Sequence, residues 1–494
     1  MESTTSKSIL IFSDGTGQSG GLTPDQRLSN VYKLFRAMRV GPDNPVNPAD
    51  QVAFYDPGLG SEGAAKQVRG KWRRAFRKFA SSATGAGIGH NITDCYEAIL
   101  KHYESGDRIY LFGFSRGAYT ARSVAGVLRY CGVPTRLADG TPIPRWGSEL
   151  RAIAHEAVHQ VYEYGSGRQR KKFEEERKVL AARFREKYAC EVNGAPNAAP
   201  YFIGVFDTVA ALGERGFVRW IMRLVLLLGA AGAIAGVAFL VSLFGPSFRN
   251  SFWWVASITA VVAVIAIAKA RVKFIWKYPK PWQFRWCVTG WKFKDYDTNL
   301  DGRVCFARHA MAIDETRADF ARVPWGQPSE GPRPDENGVK SFVQCWFVGD
   351  HSDIGGSYPE DESRLSDIAL NWMVGELESL PHPPKIDRTK LNLWPDPLGM
   401  QHSEVEAFRD GYPSWVPKAW RLTWSEKLRT AAAGSPNNSD ELPPHHRSVL
   451  ERFEAPTVVN CNSVGPYRPA VLAKDPRYAH FFGTGATEGL SPST

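Results

Sequence analysis

The 494-residue chain lacks the patterns of a disulfide scaffold or a zinc protein. Its seven cysteines, at 95, 131, 190, 287, 305, 345 and 461, are scattered, with no Cys-x-x-Cys and no Cys/His cluster. They read as reduced thiols of a cytoplasmic protein. The glycine-rich loop Ser13-Asp14-Gly15-Thr16-Gly17 lacks the Gly-Lys-Ser/Thr of a nucleotide P-loop, so Asp14, Gly15 and Thr16 are substrate-loop candidates only. His155 and His159 stand four apart, but without a Glu-x-x-His pattern or a third ligand they read as surface histidines. No metal and no cofactor is expected. The polar start, Met1-Glu2-Ser3-Thr4-Thr5, leads straight into a strand, so no cleavable signal peptide is expected. Acidic residues are missing altogether between Glu62 and Asp94.

What fills that acid-free stretch is basic and aromatic. Lys66, Arg69, Lys71, Arg73, Arg74, Arg77 and Lys78 surround Trp72, Phe76 and Phe79, which fall at i, i+4, i+7 on one helical face. Such a helix suits a membrane interface, with a plain solvated helix as the alternative. The net charge of +10 asks for an acidic partner. No nucleic-acid-binding signature accompanies it, so an anionic membrane surface is the expected partner and nucleic acid is not. The composition, 43% hydrophobic and 23% charged, is globular, enough for one large α/β domain with insertions or for two to three domains.

The sharpest local pattern is Gly113-Phe114-Ser115-Arg116-Gly117, set between the apolar run 109–112 and a helix expected over 118–130. This is G-x-S-x-G in the order strand, tight turn, helix. A serine hydroxyl is a weak nucleophile, so it must stand clear of the sheet, meet a base and lie near N–H groups that stabilise an oxyanion. The Arg116 amide, just after the serine, is the expected oxyanion donor. Further strands are read at 7–12, 52–55, 201–206 and 341–348, and helices at 30–40, 91–103 and 365–377, with much of 148–190 helical. The strand at 201–206 delivers Asp207, the expected acid, which also suits a helix N-cap. The strand at 341–348 delivers His351 in a glycine-containing loop, the expected general base. His309, in a stretch (308–315) read as a helix start, is the alternative base. The order Ser115, Asp207, His351 is that of the α/β-hydrolase triad.

Two apolar runs interrupt this plan. Residues 224–244 and 252–268 carry no charge, and a short turn-rich joint separates them. The first is about 32 Å long as a helix, and the second is near the lower limit for spanning. They read as a transmembrane helical hairpin with Trp253 and Trp254 at an interface. Arg215, Arg219, Arg223, Lys269, Arg271, Lys273, Lys277 and Lys280 flank it, against Arg249 alone in the joint. The positive-inside rule then puts the catalytic part on the cytoplasmic side of an inner membrane. The expected organisation is a core over 1–216, an inserted hairpin over 217–280, and the rest of the core with C-terminal cover over 281–494.

Several blocks resemble one family: residues 12–16, Tyr55 to Gly60, Leu111 to Ala118, Gly204 to Gly213, His309 to Glu315, and Trp346 to Gly356. Residues 446–450 and 465–469 look like its closing elements. Together they are similar to the catalytic domain of type VI secretion phospholipase effectors (lipase effector class 1-like). The resemblance implies an α/β-hydrolase fold, a Ser-Asp-His triad and attack on ester bonds of membrane phospholipids. Ser115 carries over as nucleophile, Asp207 as acid and His351 as base. Phe206 stands where the family commonly has tryptophan, and Asp350 where a neutral residue is usual. The expectation is a membrane-associated serine esterase acting on lipid. A non-catalytic membrane module on a hydrolase fold and a secreted antibacterial lipase are the alternatives.

Overall fold

A computed structural model describes the chain except residues 1–5, 16, 19, 22–26, 59–87, 168–169, 210–216, 290–299, 321, 327–337, 413–414, 418–423, 434–441, 462 and 483–494. The basic-aromatic segment at 66–79 and Thr16 lie outside the described residues.

The protein is mixed α/β, with a central parallel sheet and flanking helices. Six strands form the sheet: β1 (Ser8–Ser13), β2 (Gln51–Asp56), β3 (Arg108–Phe114), β4 (Pro200–Phe206), β7 (Phe306–Ala312) and β8 (Phe342–Phe347). Their spatial order is β2-β1-β3-β4-β7-β8, and every neighbouring pair is parallel. Successive side chains on a strand face opposite sides, so a strand covered on both sides must be apolar throughout. Ile9, Ile11, Ile109, Leu111, Ile203 and Val205 face one core layer, with helices α2 (Ile88–His102) and α3 (Arg116–Cys131). Leu10, Phe12, Tyr110, Phe112, Phe202 and Phe206 face the other, with α1 (Asn30–Met38) and α9 (Arg364–Glu378). On the side of α2 and α3, α4 (Gly147–His155) packs on α2, and a π-helical stretch (Glu156–Tyr162) and α5 (Glu174–Tyr188) cover α3.

The stretch around His309 is the interior strand β7, not the start of a helix. Its Ala-Arg-His-Ala-Met-Ala composition favours helix locally. All seven of its residues are buried, however, between β4 and β8, and ladder pairing on both edges overrides propensity.

Strand order reverses direction between β1 and β3, and such a switch opens a crevice at the carboxyl ends of the strands. The loop after β1 and the turn after β3 meet there. A Cβ on Gly117 would lie 2.0 Å from the Ser13 carbonyl oxygen, and one on Gly113 would lie 2.4 Å from the Gly117 oxygen. Only glycine permits this approach of backbone to backbone. Gly117→Ala is therefore expected to destabilise the fold by about 3 kcal/mol or more; thermal unfolding in detergent measures it, and an unchanged midpoint would refute the packing argument.

Two long helices leave the domain: α6 (Phe217–Ser242) and α7 (Phe248–Arg271). They pack on each other, and most of the described apolar side chains along them face outward. Among the described residues α7 is long and apolar enough to cross a membrane; the apolar part of α6 is the shorter Leu227–Ser242. An antiparallel hairpin of β5 (Val272–Trp276) and β6 (Phe284–Val288) follows directly.

Candidate active site

Ser115 occupies the turn between β3 and α3 with φ 58 and ψ −122. This region is sterically poor for a residue with a Cβ, and such strain persists only where the surroundings impose it. They do: the Ser115 N–H donates to the Phe206 carbonyl of β4 at 3.1 Å, and its own carbonyl accepts from the Tyr119 N–H at 3.3 Å. The residue is a strained elbow at the head of a helix. Arg116 is the first residue of that helix, so its N–H has no carbonyl within the helix to pair with. Burial alone lowers the Arg116 guanidinium to about 10.

Asp207 follows β4 and is fully buried. Its Oδ2 accepts from His351 Nδ1 at 2.5 Å, and its Oδ1 from the Ala312 N–H at 3.1 Å. Arg429 grips both oxygens, Nη1 at 2.5 Å and Nη2 at 3.0 Å. Burial would raise this carboxyl, but the Arg429 guanidinium and the His351 ring together hold it well below the usual carboxylate range. The acid is thus ionised and oriented. Arg429 also donates to the carbonyls of Ala312 and Phe320, tying three segments to the carboxylate.

His351 opens the short helix α8 (His351–Gly355) after β8. Its ring lies between Phe114 (centroids 4.7 Å) and Phe320 (5.1 Å), so the residue before the elbow serine forms one wall of the histidine's slot. With Nδ1 committed to Asp207, Nε2 is buried and has no hydrogen-bond partner among the described residues. A free imidazole nitrogen opposite an anchored one is what a general base requires. Asp350 is the N-cap of α8: it accepts from the Ser352 and Asp353 N–H groups and from the Tyr358 hydroxyl. Burial, then the charges of Asp353 and Glu315, push its carboxyl up.

His309 lies on β7 and is bonded differently from His351. Its Nε2 accepts from the Thr208 N–H at 3.3 Å, and Nδ1 meets Gln344 at 3.3 Å. Burial, then Arg122 and Arg322, depress it to about 3, which keeps the ring neutral. Both nitrogens are occupied, and of the two histidines His351 is the one bonded to Asp207. His159 pairs with Glu163 at 2.7 Å, its ring 4.2 Å from that of His155.

The loop after β1 lies against the elbow. A Cβ on Gly15 would come within 3.4 Å of Ser115 Cβ. Asp14 accepts from Ser29, Tyr55 and the Gly15 N–H, and burial raises it to about 6 against these bonds. It braces the loop and does not touch His351. Asp56, at the end of β2, accepts from Ser13 and Asn91, and burial raises it to about 8. Because the folded value exceeds the unfolded one of about 3.9, this carboxyl favours folding in full below about pH 4. That contribution is lost as pH rises through about 8. Asp56→Asn keeps the shape without the charge. Its thermal midpoint relative to wild type is expected to rise by about 5 °C or more between pH 5 and pH 9. A difference that stays flat with pH would refute this.

Of the residues singled out in the sequence, the structure bonds Asp207 to His351 and sets Ser115 in the turn after β3. Sequence reasoning missed Arg429 and Phe320, which lie in segments without a motif. These segments meet through backbone bonds of Ala318 N–H to Ser425 and of Lys427 N–H to Thr316.

The model of the family described as "T6SS, Phospholipase effector Tle1-like, catalytic domain" matches residues 7–376. An uncharacterized protein of Saccharomyces cerevisiae, YEL023C, is 24% identical over 416 residues, covering 76% of this chain. The chain spans 57% of that relative's length. A crystal structure of an uncharacterized protein from Pseudomonas aeruginosa covers 79% of this chain and 47% of its own, at 16% identity and a TM-score of 0.31.

Proposed function

The chain belongs to the Tle1-like phospholipase effector catalytic-domain family, and from that premise we propose that it is a membrane-bound serine hydrolase cleaving phospholipid esters. One observation carries the reading: His351 Nδ1 lies 2.5 Å from Asp207 Oδ2, while its Nε2 has no hydrogen-bond partner among the described residues, in a slot walled by Phe114, the residue before the elbow serine.

The chemistry follows from these atoms. Asp207 accepts the Nδ1–H and leaves the lone pair on Nε2. Nε2 takes the proton of Ser115 as Oγ attacks the ester carbonyl, and the Arg116 N–H stabilises the oxyanion. The imidazolium, steadied by Asp207, returns the proton to the departing alcohol. An acyl-serine remains. Water, deprotonated by Nε2, then releases the fatty acid.

In this reading residues 1–216 and 281–494 make one α/β-hydrolase domain, and the inserted hairpin over 217–280 anchors it in the inner membrane. The basic flanks of the hairpin put that domain on the cytoplasmic side. An anionic leaflet then supplies both substrate and counter-charge.

A fluorophosphonate probe on detergent-solubilised protein, with the adduct mapped by mass spectrometry, tests the site. Phosphatidylcholine/phosphatidylglycerol vesicles assayed for fatty-acid release test the substrate. The expected results are an adduct on the peptide holding Ser115 and lipid-dependent release. A chain that neither labels nor releases fatty acid would overturn the proposal.

A further inference from the structure

A soluble antiparallel hairpin turns polar side chains to water and apolar ones to the protein. The β5–β6 hairpin does the reverse. Its register pairs Val272 with Val288, Phe274 with Trp286 and Trp276 with Phe284, so all six apolar side chains share one face. That face is outward: Trp276 is 62% exposed and Trp286 59%. The alternate positions face the protein. Ile275 and Cys287 are buried against Tyr164, while Lys273 and Arg285 reach back to Glu163 and Glu176. Of the two charges Lys273 is turned inward, and Arg285, though exposed, is held in an ion pair with buried Glu176. On the outer face Phe274 and Trp276 stack at 5.8 Å and Trp276 meets Phe284 at 5.1 Å. At the tip, the Lys280 ammonium stands 5.5 Å from the ring of Trp282, which is 76% exposed.

The hairpin's place in the chain says what covers this face. Val272 follows Arg271, the last residue of α7, with no linker. The Thr289 N–H bonds to the Arg271 carbonyl at 2.8 Å, so both ends of the hairpin are fastened to the foot of the apolar helix. A helix leaving a bilayer at Arg271 delivers its next residues into the headgroup zone. Tryptophan rings are favoured there, and lysine and arginine meet lipid phosphates. Lys269 and Arg271 lie in the last turn of α7, and Lys277 and Lys280 in the turn at the hairpin's tip. Exposed Trp253 and Trp254 mark the other end of α7. The hairpin is also tied to the core, because Arg183 of α5 donates to the carbonyls of Trp276 and Lys277.

We propose that the β5–β6 hairpin is an interfacial foot, whose aromatic face lies in the headgroup zone of an anionic bilayer and holds the domain against that leaflet. The proposal rests on the reading of α7 as a membrane-crossing helix, and it does not depend on the hydrolase activity.

The test uses the full chain in phosphatidylcholine/phosphatidylglycerol vesicles whose acyl chains are brominated near the headgroup. Wild type is compared with a conservative variant, Trp276→Phe, Trp282→Phe and Trp286→Phe, and with a polar one, Phe274→Thr, Trp276→Thr, Phe284→Thr and Trp286→Thr. Bromolipid is expected to quench wild-type tryptophan emission by a larger fraction than that of the conservative variant, the difference belonging to the hairpin. The polar variant is expected to stay with the vesicles through its helices. There it should lose vesicle-lipid hydrolysis several-fold while hydrolysing a soluble short-chain ester at the wild-type rate. Equal fractional quenching in wild type and the conservative variant, with the chain still on vesicles, would overturn the foot alone. So would a vesicle-bound dimer that only the polar variant dissociates, since a second copy would then cover the face. A chain that never sediments with vesicles would overturn the membrane reading and the foot together. Quenching without any ester hydrolysis would uphold the foot and sink the hydrolase.

Discussion

Ser115→Ala is expected to lower phospholipid ester hydrolysis by about four to six orders of magnitude while leaving the thermal midpoint within a few degrees of wild type. The size follows from the division of labour at the site. In the proposed mechanism the hydroxyl oxygen is the atom that bonds to the acyl carbon, so no second group would replace it, and only oxyanion stabilisation and substrate binding would remain. Stability should hardly move because the turn is imposed from outside the serine side chain. The 3.1 Å bond from the Ser115 N–H to Phe206 and the glycines at 113 and 117 hold the elbow at φ 58 for any small residue. Fatty-acid release from vesicles, fluorophosphonate labelling and a thermal melt read the three quantities together. Wild-type turnover in the alanine variant would mean that the nucleophile lies elsewhere.

Much of this site was legible in the residues because its parts are local. A parallel strand buried on both faces must be continuously apolar, so β1, β3, β4 and β8 announce themselves, and their carboxyl ends name Asp14, Ser115, Asp207 and His351. The elbow is legible because its geometry excludes side chains at two fixed positions. What was not legible depends on where distant segments meet. Arg429 lies 222 residues from Asp207, and nothing in its neighbourhood marks it. It also lies beyond the stretch matched by the family. The strand β7 was misread because alanine-rich local preference points to helix, while pairing on both edges is visible only in the assembled sheet. The hairpin β5–β6 was not read as a hairpin from the sequence. Its inversion needed the register and the direction of the core.

The pairing of Asp207 with Arg429 separates catalysis from stability. Asp207→Asn is expected to cut the rate by about four orders of magnitude, since an amide no longer fixes the Nδ1–H tautomer or steadies the imidazolium. It should also destabilise the fold by about 3–5 kcal/mol, because Arg429, almost wholly buried, loses the carboxylate charge and one of the two oxygens it grips. Arg429→Met leaves the acid against His351 but removes the charge that, with His351, keeps it ionised despite burial. Folded, Asp207 titrates far below its unfolded value, so its stabilising contribution is present above about pH 4 and lost as pH falls below that. In the methionine variant the folded value moves back up toward the unfolded one and that contribution shrinks, read as an upward shift of the acid-unfolding midpoint. The double variant Asp207→Asn/Arg429→Met removes both charges together and should recover most of the lost stability. Its activity should not return, because the tautomer is still unfixed. Stability and rate recovering together would show that Asp207 acts through the fold alone; rescue of stability with the rate still depressed places the carboxylate in the proton relay of Ser115.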